Sequence, residues 1–150
     1  MEWTSLLSTT LGAFIALAAS ALADRRRWLR EREQRSRDER RAVYVAFLNA
    51  TAEASEILIG IARGHDHDDR ALARAGTVLR DSNTLARRLE LSLVADDHVV
   101  RQAVLTVTLL RAYRDAVTQG LTPETDELQR ARAAFNEQRD RLTQQMRGTL

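Results

Sequence analysis

The chain has 150 residues, a formal net charge of +2 at pH 7, one proline and no cysteine. The lack of cysteine excludes disulfide bonds and thiolate chemistry. The scarcity of aromatic residues, proline and glycine favours a helical domain with little room for an elaborate pocket. All 23 basic residues are arginines, so each cation stays charged and presents a planar fork of donors to carboxylates or phosphates.

The first segment, residues 1–24, has the composition of a membrane anchor. Residues 3–23 carry no charge, and about 21 helical residues span about 30 Å, the thickness of one hydrocarbon core. Because a run of arginines follows the apolar stretch, we expect a single-pass protein of the cell membrane, with its N-terminus outside and its C-terminal domain in the cytoplasm. The residues expected to set this topology and contact lipid are Trp3, Arg25, Arg26, Arg27 and Trp28.

Two other interpretations of this segment stay open. Ala21-Leu22-Ala23 has the small-x-small form of a signal-peptide cleavage site. A secretory signal, however, carries its positive charge before the apolar run, whereas here the arginines follow it. The segment is also compatible with a soluble or surface-lying helix.

Small residues repeat every fourth position along the anchor. They are Ser8, Gly12, Ala16 and Ser20. Such a stripe lets two membrane helices approach closely and gain van der Waals contact, so it predicts self-association of the anchor. The alternative is chance alignment in a chain rich in alanine and serine.

Residues 25–41 form a charged juxtamembrane stalk with nine arginines and four acidic residues. Acid–arginine pairs spaced by four residues favour a continuous exposed helix, and a disordered linker is the alternative. The surplus positive charge attracts anionic lipid. Nucleic acid is a disfavoured partner, because acidic residues interrupt the arginines.

The pattern changes to amphipathic helices in residues 42–150. Apolar residues recur at spacings of three and four over about 42–63, 69–93, 97–118 and 123–147. The predicted core stripe of the second helix includes Leu89 and Leu93, and that of the third includes Val104. Thr122 and Pro123 have the residue types of an N-cap and first turn for the last helix. We therefore predict an all-α fold, in which an N-terminal transmembrane helix continues through a charged helical stalk into an antiparallel four-helix bundle.

One turn carries residues that are able to bind a metal. His65, Asp66, His67 and Asp69 could ligate zinc or another divalent ion. Consecutive residues on an exposed turn rarely close a tetrahedral shell, and an aspartate there also suits the N-cap of the next helix. We therefore expect a capping turn, with metal binding as the alternative.

The layout resembles a class of uncharacterised actinobacterial single-span membrane proteins with a cytoplasmic helical domain. The resemblance is carried by the apolar run 3–23, by Arg25-Arg26-Arg27-Trp28 and by Arg41-Ala42-Val43-Tyr44. It covers about 60 residues of layout and composition, implies no activity and transfers no functional residue.

No catalytic, nucleotide-binding or di-metal motif is present. The expectation is a non-catalytic, membrane-anchored adaptor, scaffold or accessory subunit without a cofactor or an evident small-molecule substrate. Its partners would be the lipid bilayer and either a second copy or another protein. The alternatives are a ligand or metal sensor acting through the turn at residues 65–69, and a binder of anionic lipid or polyanions acting through the stalk.

Overall fold

A computed structural model describes residues 3–64 and 69–150, with side chains for Trp28, 32–64 and 69–150. The fold is all-helical, without a strand among these residues. The helices are α1 (Trp3–Arg63), α2 (Asp69–Asp81), α3 (Thr84–Val94), α4 (Asp97–Thr118) and α5 (Asp126–Gly148).

Internal contacts divide the chain into two compact units, Met1–Glu39 and Arg40–Leu150. In the first unit, the described side chains of residues 32–39 are all exposed. The Arg32 guanidinium lies over the Trp28 ring, 5.4 Å from its centroid. No ion pair joins two of the described side chains within 32–39, so the acid–arginine spacing there does not produce direct salt bridges.

The second unit has one hydrophobic core to which all five helices contribute. Among the described residues, α1 and α4 contribute most, with nine and eight buried residues, and α4 packs against α5, α2 and α3. The largest fully buried side chains include Tyr44, Phe47, Leu58, Leu91, Leu110, Tyr113, Leu128, Phe135 and Leu142. Burial of apolar surface of this kind is the dominant favourable contribution to folding.

The predicted helix over 69–93 is wrong in one respect, because two helices occupy this range. Asn83 adopts the left-handed conformation, with φ 57° and ψ 18°, which interrupts the helical hydrogen-bond pattern. The Ser82 and Thr84 hydroxyls hydrogen-bond each other at 2.8 Å, and Thr84 Oγ1 donates to the Ala50 carbonyl of α1 at 3.3 Å. This network satisfies the buried polar groups that the break creates.

The predicted start of the last helix at residue 123 is also wrong. α5 begins at Asp126, and the Thr125 amide donates to the Thr122 carbonyl at 2.9 Å. Proline presets the backbone dihedral of the second residue in a β-turn as well as that of a first helical residue. Pro123 therefore lies in a turn that precedes the helix.

Among the described residues, one helix segment near the N-terminus is long and apolar enough to cross a membrane, Arg32–Arg63. In its most apolar stretch of 18 residues, 44% is buried inside the fold. The segment includes Tyr44, Phe47 and Leu58 of the core, so its apolar face packs against the other helices of the second unit. The side chains of the predicted anchor, residues 3–23, lie outside the described part.

Candidate functional site

The turn with metal-binding residue types lies almost wholly outside the described residues. His65, Asp66 and His67 belong to the undescribed range 65–68, and Asp69 is the exposed first residue of α2. Among the described residues, no group of three or more histidine, aspartate or glutamate side chains is arranged to hold a metal ion.

The residues predicted to contact lipid and to pair the anchors are also outside the described side chains, with one exception. These undescribed side chains are Trp3, Ser8, Gly12, Ala16, Ser20, Arg25, Arg26 and Arg27. The exception is Trp28, which is 57% exposed. Its contact with Arg32 is a cation–π arrangement that holds the ring against a charged side chain.

The most distinctive surface feature of the second unit is a row of leucines on α3. Leu85, Leu89 and Leu93 are 38%, 62% and 79% exposed. Their spacing of four residues places them on one face of the helix. We call this row the α3 leucine stripe. Isolated exposed leucines are common, whereas large contiguous apolar patches are typical of interaction sites.

The face that carries the α3 leucine stripe contains no charged residue. Ser92 lies between the leucines, and its hydroxyl donates to the Leu89 carbonyl at 2.6 Å. Arg87 and Glu90 lie outside this face and pair with each other at 2.7 Å. Arg88, three residues after Leu85, flanks the row, and its Nε is buried without a hydrogen-bond partner among the described residues.

The opposite face of α3 attaches the helix to the core through Thr84 and Leu91, which are both fully buried. Sequence periodicity placed Leu89 and Leu93 in the core instead. That assignment is wrong because the break at Asn83 rotates α3 relative to α2. The signal that could have revealed this is the local sequence Asp81-Ser82-Asn83-Thr84, a cluster of turn-forming residue types.

A second, smaller exposed apolar area lies on α4. Val104 and Leu105 are 41% and 43% exposed. Val104 was predicted to face the core, but the buried face of α4 runs through Ala103, Val107 and Leu110. These two exposed residues are adjacent in sequence and do not form a row along the helix.

Comparison of the chain with protein-family models, with curated proteins and with solved structures finds no match.

Proposed function

We propose that this protein is a non-catalytic, membrane-anchored helical adaptor that assembles with a second copy of itself. In this proposal, residues 1–24 cross the cell membrane once and the arginines after them stay in the cytoplasm. Residues 42–150 form an antiparallel helical bundle that presents the interaction surface. The observation that carries the proposal is the α3 leucine stripe.

A second copy is the favoured occupant because the stripe is apolar, uncharged and therefore complementary to itself. Two such rows bury leucine against leucine, and the leucine side chains have no polar group that would lose a hydrogen bond on contact. In a two-fold dimer, a surface of one copy contacts the same surface of the other copy. A single short row of leucines is able to form such a contact.

The stripe alone is too small for a stable complex in solution. A standard interface buries about 800 Å² per partner, whereas three partly exposed leucines supply only a fraction of that area. Two copies held in one membrane have a high effective concentration. A first contact between the anchors therefore raises the apparent affinity of a weak second contact between the stripes. The small-residue row of the anchor would provide that first contact.

The proposal is tested by disulfide crosslinking of the full-length chain in membranes. Because the chain has no native cysteine, Ser92→Cys next to the stripe gives a single reporter thiol. We expect mild oxidation to produce a dimer, since two stripes in contact bring the two introduced thiols together. Leu89→Gln in the same background should reduce the dimer several-fold, because each copy would then bury an amide against leucine.

Val45→Gln is the matched control, since Val45 is a large apolar residue with 48% exposure that belongs to α1 and not to the stripe. It should leave the dimer yield unchanged. Gly12→Leu should weaken the dimer by separating the anchors. Equal yields with Leu89→Gln and Val45→Gln would show that the stripe is not an interface, and loss in Gly12→Leu alone would assign self-association to the anchor.

The proposed topology has its own measurement. A C-terminally tagged chain should fractionate with membranes, retain its full mass and keep its tag protected from protease added outside spheroplasts. Cleavage after Ala23, or digestion of the tag from outside, would place the helical domain on the other side of the membrane.

A further inference from the structure

The exposed face of α1 in the second unit carries negative charge only. Residues 42–62 contain no basic residue, and their two acidic residues, Glu53 and Glu56, are both exposed. Spacings of three and four residues place these carboxylates on one side of the helix with two small or polar neighbours. We call this row the acidic face of α1, and its members are Asn49, Glu53, Glu56 and Gly60.

The exposed face of α4 carries positive charge instead. Residues 98–114 contain three arginines and no acidic residue. Arg114 pairs with Asp115, whereas Arg101 and Arg111 are exposed at the two ends of a row with apolar residues between them. We call this row the basic face of α4, and its members are Arg101, Val104, Leu105, Thr108 and Arg111.

The charges of these two faces have no partners within the described part of the chain. None of Glu53, Glu56, Arg101 and Arg111 belongs to an ion pair there. Each of these side chains is exposed, so each is able to meet a charge of a neighbouring molecule. A carboxylate and a guanidinium that meet form a charge-assisted hydrogen bond.

The two faces lie on different sides of the second unit, because α1 and α4 share their flanking helices. α3 contacts α1 where the Thr84 hydroxyl donates to the Ala50 carbonyl, and α5 contacts α1 where Arg40 donates to the Thr149 carbonyl. α4 packs against both α3 and α5. The outer faces of α1 and α4 point away from these shared neighbours, so two copies side by side bring an acidic face against a basic face.

Contacts with α5 place α1 and α4 at comparable heights. Arg40 of α1 contacts Thr149, and the Gln102 side chain of α4 accepts a hydrogen bond from Gln138, about eleven residues earlier in α5. At about 1.5 Å per residue, Gln102 therefore lies about 16 Å along the unit from Arg40, close to residue 51 of α1. Both helices run antiparallel to α5, so they run in the same direction.

The charges of the two faces match at this height. Arg101 and Arg111 lie level with about residues 50 and 60 of α1, and both carboxylates fall between these levels. The offset along the unit is about 4–5 Å between Arg101 and Glu53 and about 6 Å between Arg111 and Glu56. A long arginine side chain is able to cover such an offset.

We propose that the acidic face of α1 in one copy binds the basic face of α4 in the next copy, with Glu53 paired to Arg101 and Glu56 to Arg111. The inference rests on the proposed membrane anchoring, because anchors in one membrane give all copies the same orientation and height. Exposed ion pairs are individually weak, and the high effective concentration in the membrane raises their apparent affinity.

The proposed contact differs in symmetry from that of the α3 leucine stripe. Two different surfaces meet, so each copy keeps one acidic and one basic face for two neighbours. Such a heterologous contact generates a ring or an open row of copies. It therefore extends the assembly beyond the two copies that the stripe joins.

The test is disulfide crosslinking in membranes between two differently tagged full-length chains, one with Gly60→Cys and the other with Thr108→Cys. A side chain at position 60 meets no neighbouring atom within 4 Å, and the Thr108 hydroxyl bonds only the Val104 carbonyl of its own helix. We expect the mixed disulfide to exceed the disulfides between identical chains several-fold, because the contact joins unlike faces.

Charge reversal tests the pairing itself. Arg101→Glu with Arg111→Glu in the Thr108→Cys chain should lower the mixed disulfide several-fold, since like charges then face each other. Glu53→Arg with Glu56→Arg in the Gly60→Cys chain should have the same effect. Combining the two reversed chains should restore the disulfide, a recovery that damage to either fold cannot produce.

Arg70→Glu with Arg74→Glu in the Thr108→Cys chain is the matched control, since it makes the same charge change at two exposed positions of α2. It should neither lower the mixed disulfide nor restore it with the reversed Gly60→Cys chain. Leu89→Gln should also leave the mixed disulfide unchanged, so failure of the stripe and failure of this contact are distinguishable.

Equal yields of mixed and identical disulfides, or no recovery when the two reversed chains are combined, would overturn the inference. In a chain that fractionates with membranes, such a result would leave the proposed anchoring intact. A chain absent from the membrane fraction would overturn the anchoring and this contact together.

Discussion

The break between α2 and α3 makes a sharp prediction at Asn83. This residue is exposed, its side chain makes no capping hydrogen bond, and its φ of 57° lies in the left-handed region. A substitution there therefore changes little except the cost of the backbone conformation. In this region, the backbone conformation of an ordinary L-residue costs about 1–2 kcal/mol of free energy. Glycine has almost no such cost, and asparagine has an intermediate cost.

Asn49 provides the reciprocal position. It is exposed in the interior of α1, where alanine is the best residue and glycine costs about 1 kcal/mol relative to it. We expect the stability order Ala, Asn, Gly at position 49, with alanine highest. The order at position 83 should be reversed, with Asn83→Ala less stable than Asn83→Gly by about 1 kcal/mol.

The measurement is thermal unfolding followed by the helical circular dichroism signal, with all four variants in the same membrane mimetic. For a domain of about 110 residues, 1 kcal/mol corresponds to a shift in melting temperature of about 4 °C. The same order of stability at both positions would contradict the reasoning. It would mean that residue 83 is helical and that residues 69–93 form the single helix that periodicity predicts.

Two further predictions concern the core and its titration. Leu142→Ala should lower the free energy of unfolding by about 2–5 kcal/mol, because this side chain is fully buried; Leu93→Ala, at 79% exposure, should change it by less than about 0.5 kcal/mol in urea unfolding. Burial raises the pKa of Tyr113, so its contribution to stability is complete below the unfolded pKa of about 10 and is lost as pH rises through the folded value. Since the chain has neither lysine nor cysteine, urea unfolding between about pH 9 and 12 should show this decline in the wild type and a smaller one in Tyr113→Phe, and equal declines would place the loss elsewhere.

Local sequence signals identify the all-α class and several helix ends. The sequence indicates a helix over 97–118, and α4 occupies Asp97–Thr118. Aspartates before the apolar repeat and Gly120 after it, at φ 76°, mark the two ends. These signals are local because capping depends on the few residues next to each helix end.

Tertiary features are the ones that periodicity could not predict. After the polar residues 80–84, the apolar repeat resumes at Ala86, Leu89 and Leu93 with the spacing of an unbroken helix, so periodicity alone does not show that the buried face changes after Asn83. The hydrophobicity of a leucine also does not indicate whether another part of the protein covers it. The α3 leucine stripe therefore looked like core in the sequence.

A small cleft lined by residues of α1 and α5 could not be predicted for a different reason. Its walls come from residues that are far apart in the chain, Ile59 on α1 and Arg132 on α5. A tyrosine in an apolar helix predicts burial, but only packing decides whether its hydroxyl meets a partner. Although the composition predicts little room for a pocket, a small cleft lies where the α4–α5 connection passes α1 and α5.

The short length of α3 has a further consequence for how the second unit fluctuates. α3 contributes two buried residues, Thr84 and Leu91, whereas α4 contributes eight. Local opening costs the free energy of the contacts that it breaks, so release of α3 costs far less than global unfolding. We therefore expect the backbone amides of α3 to exchange with deuterium through a partial opening. The amides of α4 should exchange only when the whole unit unfolds. The helix that carries the exposed leucines, α3, should therefore open before α4 does.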